Sequence, residues 1–169
     1  MNYYPIFKKE LKSYFSSLIA YIVLAVFLVI SGYYFYTDLA LFVLWGGAST
    51  QEGLWQYLFH DIRLILLLTI PLLTMRLFAE EKKLGTIELL FTYPFRDSEI
   101  LLGKFLACLA VFSLMIGLTV LYPILLAMVY EVEVWPLAAS YLGLFLLGAS
   151  FIACGIMVHK SLEAAAILA

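Results

Sequence analysis

Nearly half of the ionisable side chains in this chain lie in one stretch, from Arg76 to Lys104. Acidic and basic residues alternate there with leucine, isoleucine and phenylalanine, in the order RLFAEEKKLGTIELLFTYPFRDSEILLGK. Two long apolar runs flank the stretch. Charged groups held between such runs can recognise another protein through charge-assisted hydrogen bonds. We therefore interpret this stretch as the one sizeable part of the chain that meets a partner in water.

Residues 79–100 of this stretch are predicted to form a helix, a short turn and the start of a second helix. Apolar residues recur on one helical face, at Leu77, Leu84, Ile87 and Phe91. Pro94 cannot continue a helix, and Asp97 or Ser98 can cap the next one. The alternative interpretation is a solvated connector between two membrane spans.

The composition of the chain indicates an integral membrane protein. Of its residues 65% are hydrophobic and only 13% are charged, which is too few charges for the exterior of a water-soluble domain. Crossing the hydrocarbon takes about 20 helical residues. Four stretches meet this demand, residues 18–36, 62–78, 105–130 and 137–158, and a fifth span begins at residues 162–169. The predicted fold is an all-α polytopic bundle.

The basic residues predict the orientation of this bundle. Nine of the ten lysines and arginines fall on one side of a four-span arrangement, and Arg63 is the exception. Since basic residues near spans are retained in the cytoplasm, the N-terminus and residues 79–100 are predicted to face the cytoplasm. The plasma membrane, or the inner membrane of a two-membrane cell, is the expected location.

The residues before the first span predict an amphipathic helix over residues 3–16 that lies at the membrane surface. Apolar residues recur at helical spacing, at Phe7, Leu11, Tyr14 and Phe15. Basic residues take the other side, at Lys8, Lys9 and Lys12. The alternative is a cytoplasmic tail that only enforces orientation.

The chain contains no G-x-x-x-x-G-K-[ST] phosphate loop, so it cannot bind and split ATP by that route. The interiors of the predicted spans also carry no acidic or basic residue of the kind that ion-coupled carriers place there. A driving force is therefore expected from a partner. Cys108 and Cys154 are predicted to be packing residues, and His60 with Asp61 supplies too few ligands for a metal site.

The prolines and glycines of the spans predict local features. Pro71 and Pro123 are predicted to kink their helices. Small residues in the fourth span predict close helix contact, at Gly143, Gly148, Ala149 and Gly155.

The segment EEKKLGTIELLFTYPFRDSEILLGKFLA resembles the loop after the second span in permease subunits of ABC-2 type ABC transporters. The likeness is greatest to the gliding-motility-associated and nitrous-oxide-reductase-maturation branch, and the opening IFKKELKSYFSSLIAYIVLAVFLVISG resembles the same branch. Residues that match the family pattern are Glu80, Glu81, Gly85, Thr86, Glu88, Leu89, Leu90, Pro94, Glu99, Gly103 and Lys104. Arg96 departs from it, because a small hydroxyl residue is commoner there.

The resemblance implies that this loop is a coupling helix, which fits a groove of a separate ATPase subunit. The contact residues it implies are Glu80, Glu81, Gly85, Thr86 and Glu88, with Leu84, Ile87 and Leu90 seating the helix. The chain would then be the non-enzymatic permease of an ATP-driven exporter, without catalytic residues or cofactors of its own.

The implied partners are the ATPase, a second permease copy or a paralogue, and the lipid membrane. An accessory subunit is a further possibility, and no nucleic-acid partner is expected. Such permeases have six spans, so we expect this sequence to be part of a longer permease. A structural subunit that anchors a secretion or motility assembly is the alternative, and an ion-coupled carrier or channel is a third class. No motif in the sequence identifies the substrate.

Overall fold

The structure is a computed structural model and describes residues 3–44, 54–84, 97–128 and 134–168, with side chains in 4–44, 56–75, 99–128 and 134–158. The described chain contains helices and no strand. The helices are α1 (Tyr3–Ser16), α2 (Leu18–Leu44), α3 (Leu54–Leu84), α4 (Asp97–Thr119), α5 (Leu121–Ala127) and α6 (Val134–Leu168). The predicted all-α bundle is confirmed.

Four helical segments within the described ranges are long and apolar enough to cross a membrane. They are Leu18–Leu44, Gln56–Met75, Glu99–Ala127 and Val134–Val158. A helix satisfies its backbone hydrogen bonds internally, which is the condition for entering hydrocarbon. Their outward faces are apolar as well, as on α3, where Leu64, Leu67 and Leu68 are exposed. The chain is therefore a multi-pass integral membrane protein.

The helices extend beyond the apolar runs from which the spans were predicted. Helix α3 begins at Leu54 and not at the predicted Ile62, and α2 continues past Tyr36 to Leu44. Asp38 and Asp61 consequently lie inside helices that could cross the membrane, although both residues fall outside the predicted spans 18–36 and 62–78. The physical reason is that helical hydrogen bonding continues through polar residues at the ends of a span.

The C-terminal part of the described chain also differs from the prediction. Helix α6 runs from Val134 to Leu168 without a break. Residues 162–168, which were predicted to start a fifth span, are therefore the last residues of the helix that forms the fourth one. A separate span would need a turn after Val158, and the backbone remains helical there.

The core of the bundle forms around α3. Its inward stripe repeats every four residues, at Leu58, Ile62, Leu66 and Ile70, and all four are buried. This stripe packs with the buried Phe112 and Met115 of α4 and with Leu144 and Ile152 of α6. The four-residue repeat places these side chains on one helical face, so α3 can contact its neighbours along its length.

Two of the glycines in α6 allow close helix contact, as the sequence predicts. A Cβ atom on Gly148 would overlap the Phe112 ring, and one on Gly155 would lie 3.0 Å from Thr74 Oγ1. The same prediction is wrong for Gly143, because a Cβ there would meet nothing within 4 Å.

The two prolines differ in their position relative to the helix ends. Helix α3 continues through Pro71. Pro123 lies just after the break that separates α4 from α5 at Val120. Proline lacks the N–H that would bond the carbonyl four residues earlier, so Pro123 leaves the Thr119 carbonyl without its helical donor.

Candidate coupling site

The structure describes the two ends of the predicted coupling segment but not its centre. Glu80, Glu81 and Leu84 are in the last turns of α3, where the backbone alone is described. The other predicted contact residues, Gly85, Thr86, Ile87, Glu88 and Leu90, lie outside the described residues. Helix α3 leads into the segment and α4 leads out of it. The docking role of these residues stays a prediction.

Helix α1 packs against the beginning of α4, directly after this segment. A Cβ atom on Gly103 would lie 2.7 Å from Cγ2 and 2.9 Å from Cβ of Ile6, and 3.3 Å from the Phe7 backbone nitrogen. Only glycine allows the two helices to approach so closely at this position. The close approach explains why a glycine is needed nearly two turns into α4.

Tyr14 connects α1 to both helices that flank the segment. Its hydroxyl donates a hydrogen bond to the backbone carbonyl of Leu73 on α3, at 3.0 Å, and lies 3.6 Å from Cys108 Sγ on α4. All three residues are buried. A hydrogen bond inside a bundle fixes the relative position of the helices that it joins. Tyr14 therefore holds α1 against α3 and α4 at once.

The outer face of α1 is basic, as predicted. Lys8, Lys9 and Lys12 are exposed, while Phe7 and Leu11 are partly buried. Phe15, which was predicted on the apolar face, is exposed and lies beside the lysines. Consecutive residues of a helix point about 100° apart, so Tyr14 and Phe15 cannot share the packed face.

Sequence reasoning missed Glu10, a charged residue on the packed side of α1. Glu10 is only 7% exposed, and Lys104 on α4 is only 5% exposed. The Lys9 ammonium lies 4.0 Å from a Glu10 carboxylate oxygen. Glu10 is four residues after Ile6 and four before Tyr14, so the helical period alone places it with these contact residues. Buried charged groups need polar partners. The contact of α1 with α4 therefore requires correctly placed polar partners as well as apolar packing.

A short corner joins α1 to the first span. Ser17 interrupts the helix, with its N–H bonded to the Tyr14 carbonyl at 3.4 Å. The Tyr21 hydroxyl donates to the Phe15 carbonyl at 2.9 Å, and so satisfies a carbonyl at the end of α1. The corner ties the position of α1 to the first turns of α2.

A second group of polar contacts joins the helices in the opposite half of the bundle. The Tyr122 hydroxyl donates to the Leu28 carbonyl at 3.0 Å, and its ring stacks on Phe35 with centroids 5.1 Å apart. The Tyr141 hydroxyl lies 3.3 Å from Thr119 Oγ1. These contacts link α2 to α5 and α6 to α4.

His60 and Asp61 form a polar pair on α3. His60 Nδ1 lies 3.2 Å from an Asp61 carboxylate oxygen. The side chains that the structure describes include no group of three or more potential metal ligands.

The amino-acid sequence that forms these helices matches a known family. The family model described as "ABC-2 family transporter protein" matches residues 4–166. The chain belongs to this family. No curated protein and no solved structure matches it. The match extends from α1 almost to the end of α6, so the contacts of α1 lie inside the region that defines this ABC-2 permease.

Proposed function

We propose that this ABC-2 permease couples ATP hydrolysis by a separate ATPase subunit to substrate export. The ATPase docks on residues 79–100, through Glu80, Glu81, Gly85, Thr86 and Glu88, with Leu84, Ile87 and Leu90 seating the coupling helix. The observation that supports this proposal best is the position of α1, which contacts both helices that flank the segment.

The contacts of α1 explain how a displacement of the segment would reach the spans. A force on residues 79–100 acts on the end of α3 and on the start of α4. Tyr14 joins these two helices through Leu73 and Cys108, so they move together and not independently. The Thr119–Tyr141 contact then passes the displacement from α4 to α6. A packed contact transmits such shifts because close-packed interiors deform little.

The proposed setting follows from the charge distribution. The exposed lysines of α1 lie at the cytoplasmic surface of the plasma or inner membrane, with the N-terminus inside the cell. A second permease copy or a paralogue completes the translocation path, and each permease engages one ATPase. Within the family, we assign the chain to the gliding-motility and nitrous-oxide-reductase-maturation branch on its sequence resemblance.

Co-purification and flux measurements test this function. The tagged permease is isolated from native membranes together with its ATPase and is reconstituted into vesicles loaded with lipids and small molecules of the same cells. We expect ATP-dependent loss of specific compounds, detected by mass spectrometry. Retention of every compound, with an ATPase bound, would favour the structural subunit. Flux without any ATPase would favour an ion-coupled carrier or channel.

Cysteine labelling tests the orientation separately. Lys12→Cys and Trp135→Cys are placed in a background in which Cys108 and Cys154 are replaced by alanine. Both positions are exposed. An impermeant maleimide on intact cells should label position 135 and not position 12. Labelling of position 12 alone would reverse the orientation.

A further inference from the structure

The third crossing of the membrane consists of two helices, and the helical hydrogen bonding is interrupted between them. Helix α4 ends at Thr119 and α5 begins at Leu121. The Val120 N–H bonds to the Gly117 carbonyl, three residues back, at 3.2 Å. Thr119 Oγ1 donates to the Ile116 carbonyl at 2.7 Å, a type of bond that bends helices. With Pro123 unable to donate to the Thr119 carbonyl, three features weaken the helix within two turns.

Gly117 weakens the same turns, and no contact with the residues that the structure describes requires a glycine there. A Cβ atom added to it would meet nothing within 4 Å. Glycine in a helix interior is less favourable than alanine by about 1 kcal/mol. Gly103 and Gly148, in contrast, lie where a Cβ would overlap a neighbouring side chain. The distinguishing property of Gly117 is therefore the backbone freedom that it gives to this turn.

Polar contacts attach the two sides of the break to different helices. On the far side, Tyr122 of α5 is held to α2 through the Leu28 carbonyl and the Phe35 ring. Ser31 Oγ lies 3.3 Å from the same hydroxyl. On the near side, Thr119 of α4 contacts Tyr141 of α6. The start of α4 is held by α1 at Gly103. Bending at the break would therefore move α4 with α1 and α6 while α5 stays on α2.

We propose that residues 117–123 form a bending joint, at which α4 tilts with the coupling segment while α5 remains fixed to α2. This inference rests on the proposed function, because the coupling segment supplies the tilt. A tilt of about 10° over the ~35 Å length of α4 displaces its start by roughly 6 Å. The joint thus converts a displacement at the cytoplasmic side into a relative movement of α6 and α2.

Spin labels in the permease–ATPase complex measure this tilt. Cysteines replace the exposed Leu41 on α2, Leu102 on α4 and Leu125 on α5, in pairs. Between the nucleotide-free state and a vanadate-trapped ATP state, we expect the 41–102 distance to change by several ångströms and the 41–125 distance to stay constant. Gly117→Ala should reduce the change in the 41–102 distance by at least half, and this variant should keep its bound ATPase. Gly143→Ala is the matched control, since its Cβ also meets nothing within 4 Å.

Equal changes in both distances would overturn the joint, as would equal effects of the two alanine variants. If no ATPase associates, the proposed function fails, and hydrogen exchange of the permease in lipid nanodiscs decides on the joint. Amides 118–122 should then exchange at least tenfold faster than amides 140–144 of α6. Gly117→Ala should slow them about fivefold, the factor that corresponds to ~1 kcal/mol of helix propensity. Pro123→Ala, which restores a donor, should also slow them. If amides 118–122 exchange as slowly as amides 140–144 of α6, the proposed joint is wrong.

Discussion

The contact between α1 and α4 at Gly103 leads to a sharp prediction, because a single methyl group should disturb it. In Gly103→Ala the new Cβ would lie 2.7 Å from Ile6 Cγ2 and 2.9 Å from Ile6 Cβ. Carbon atoms pack at about 3.5 to 4.0 Å, so α1 must move away by roughly 1 Å. A change of the Ile6 rotamer cannot relieve this overlap, because the backbone sets the position of Ile6 Cβ, and the Phe7 backbone nitrogen lies only 3.3 Å away.

Overpacking of this kind costs about 1 to 3 kcal/mol. If α1 opens locally, its amides should exchange about 5 to 150 times faster in Gly103→Ala than in the wild type. Hydrogen exchange of residues 3–16 in lipid nanodiscs measures this directly. The proposed function further predicts that, in Gly103→Ala, binding to the permease changes the ATPase's rate of ATP hydrolysis less than binding to the wild type does.

Two matched variants serve as controls for the Gly103 prediction. Ile6→Ala removes the nearer of the two Ile6 atoms, so the double variant Ile6→Ala/Gly103→Ala should exchange more slowly than Gly103→Ala. Gly143→Ala adds the same methyl group where nothing lies within 4 Å, and should leave exchange in α1 unchanged. If exchange in α1 is the same in Gly103→Ala and in the wild type, the packing of α1 on α4 is wrong.

Three further variants test individual contacts through thermal unfolding of the purified protein. Tyr14→Phe removes the donor to the Leu73 carbonyl and should lower stability by about 1 kcal/mol, whereas an equal midpoint would show that α1 is not bonded to α3. Gly148→Ala should destabilise by about 1 to 3 kcal/mol, and Phe112→Leu should restore part of the loss by removing the ring that a Cβ meets. Tyr122→Phe should also cost about 1 kcal/mol through the lost bond to Leu28, and a neutral result would argue against the attachment of α5 to α2.

The sequence predicted the helices of the bundle well because their signals are local. Apolar runs of spanning length indicate membrane helices wherever they fold. The first helix was predicted over residues 3–16 from its periodicity, and α1 covers the same residues. The ends of the spans were predicted less well, because helical hydrogen bonding continues beyond the apolar residues, as at Leu54 and Leu44.

The contacts that position the candidate site could not be predicted, because they join residues far apart in the chain. Nothing near Gly103 in the sequence indicates that Ile6 packs on it, and Tyr14 gives no sign of a partner at Leu73. Glu10 was missed for a different reason, since its charge suggested the exposed face although its helical position favours the packed one. Pro123 indicated a weak point from the sequence, whereas the open space around Gly117, six residues earlier, required the structure.

The coupling of this permease to an ATPase is tested most directly by a charge reversal in the predicted docking residues. Glu88→Lys should reduce the amount of ATPase that co-purifies from native membranes by at least about thirtyfold, since a mispaired charge in a desolvated contact typically costs about 2 to 5 kcal/mol. Glu131→Lys makes the same change at a position predicted on the opposite membrane face, and should retain the ATPase. Equal retention of the ATPase by both variants, at equal levels in the membrane, would contradict the account.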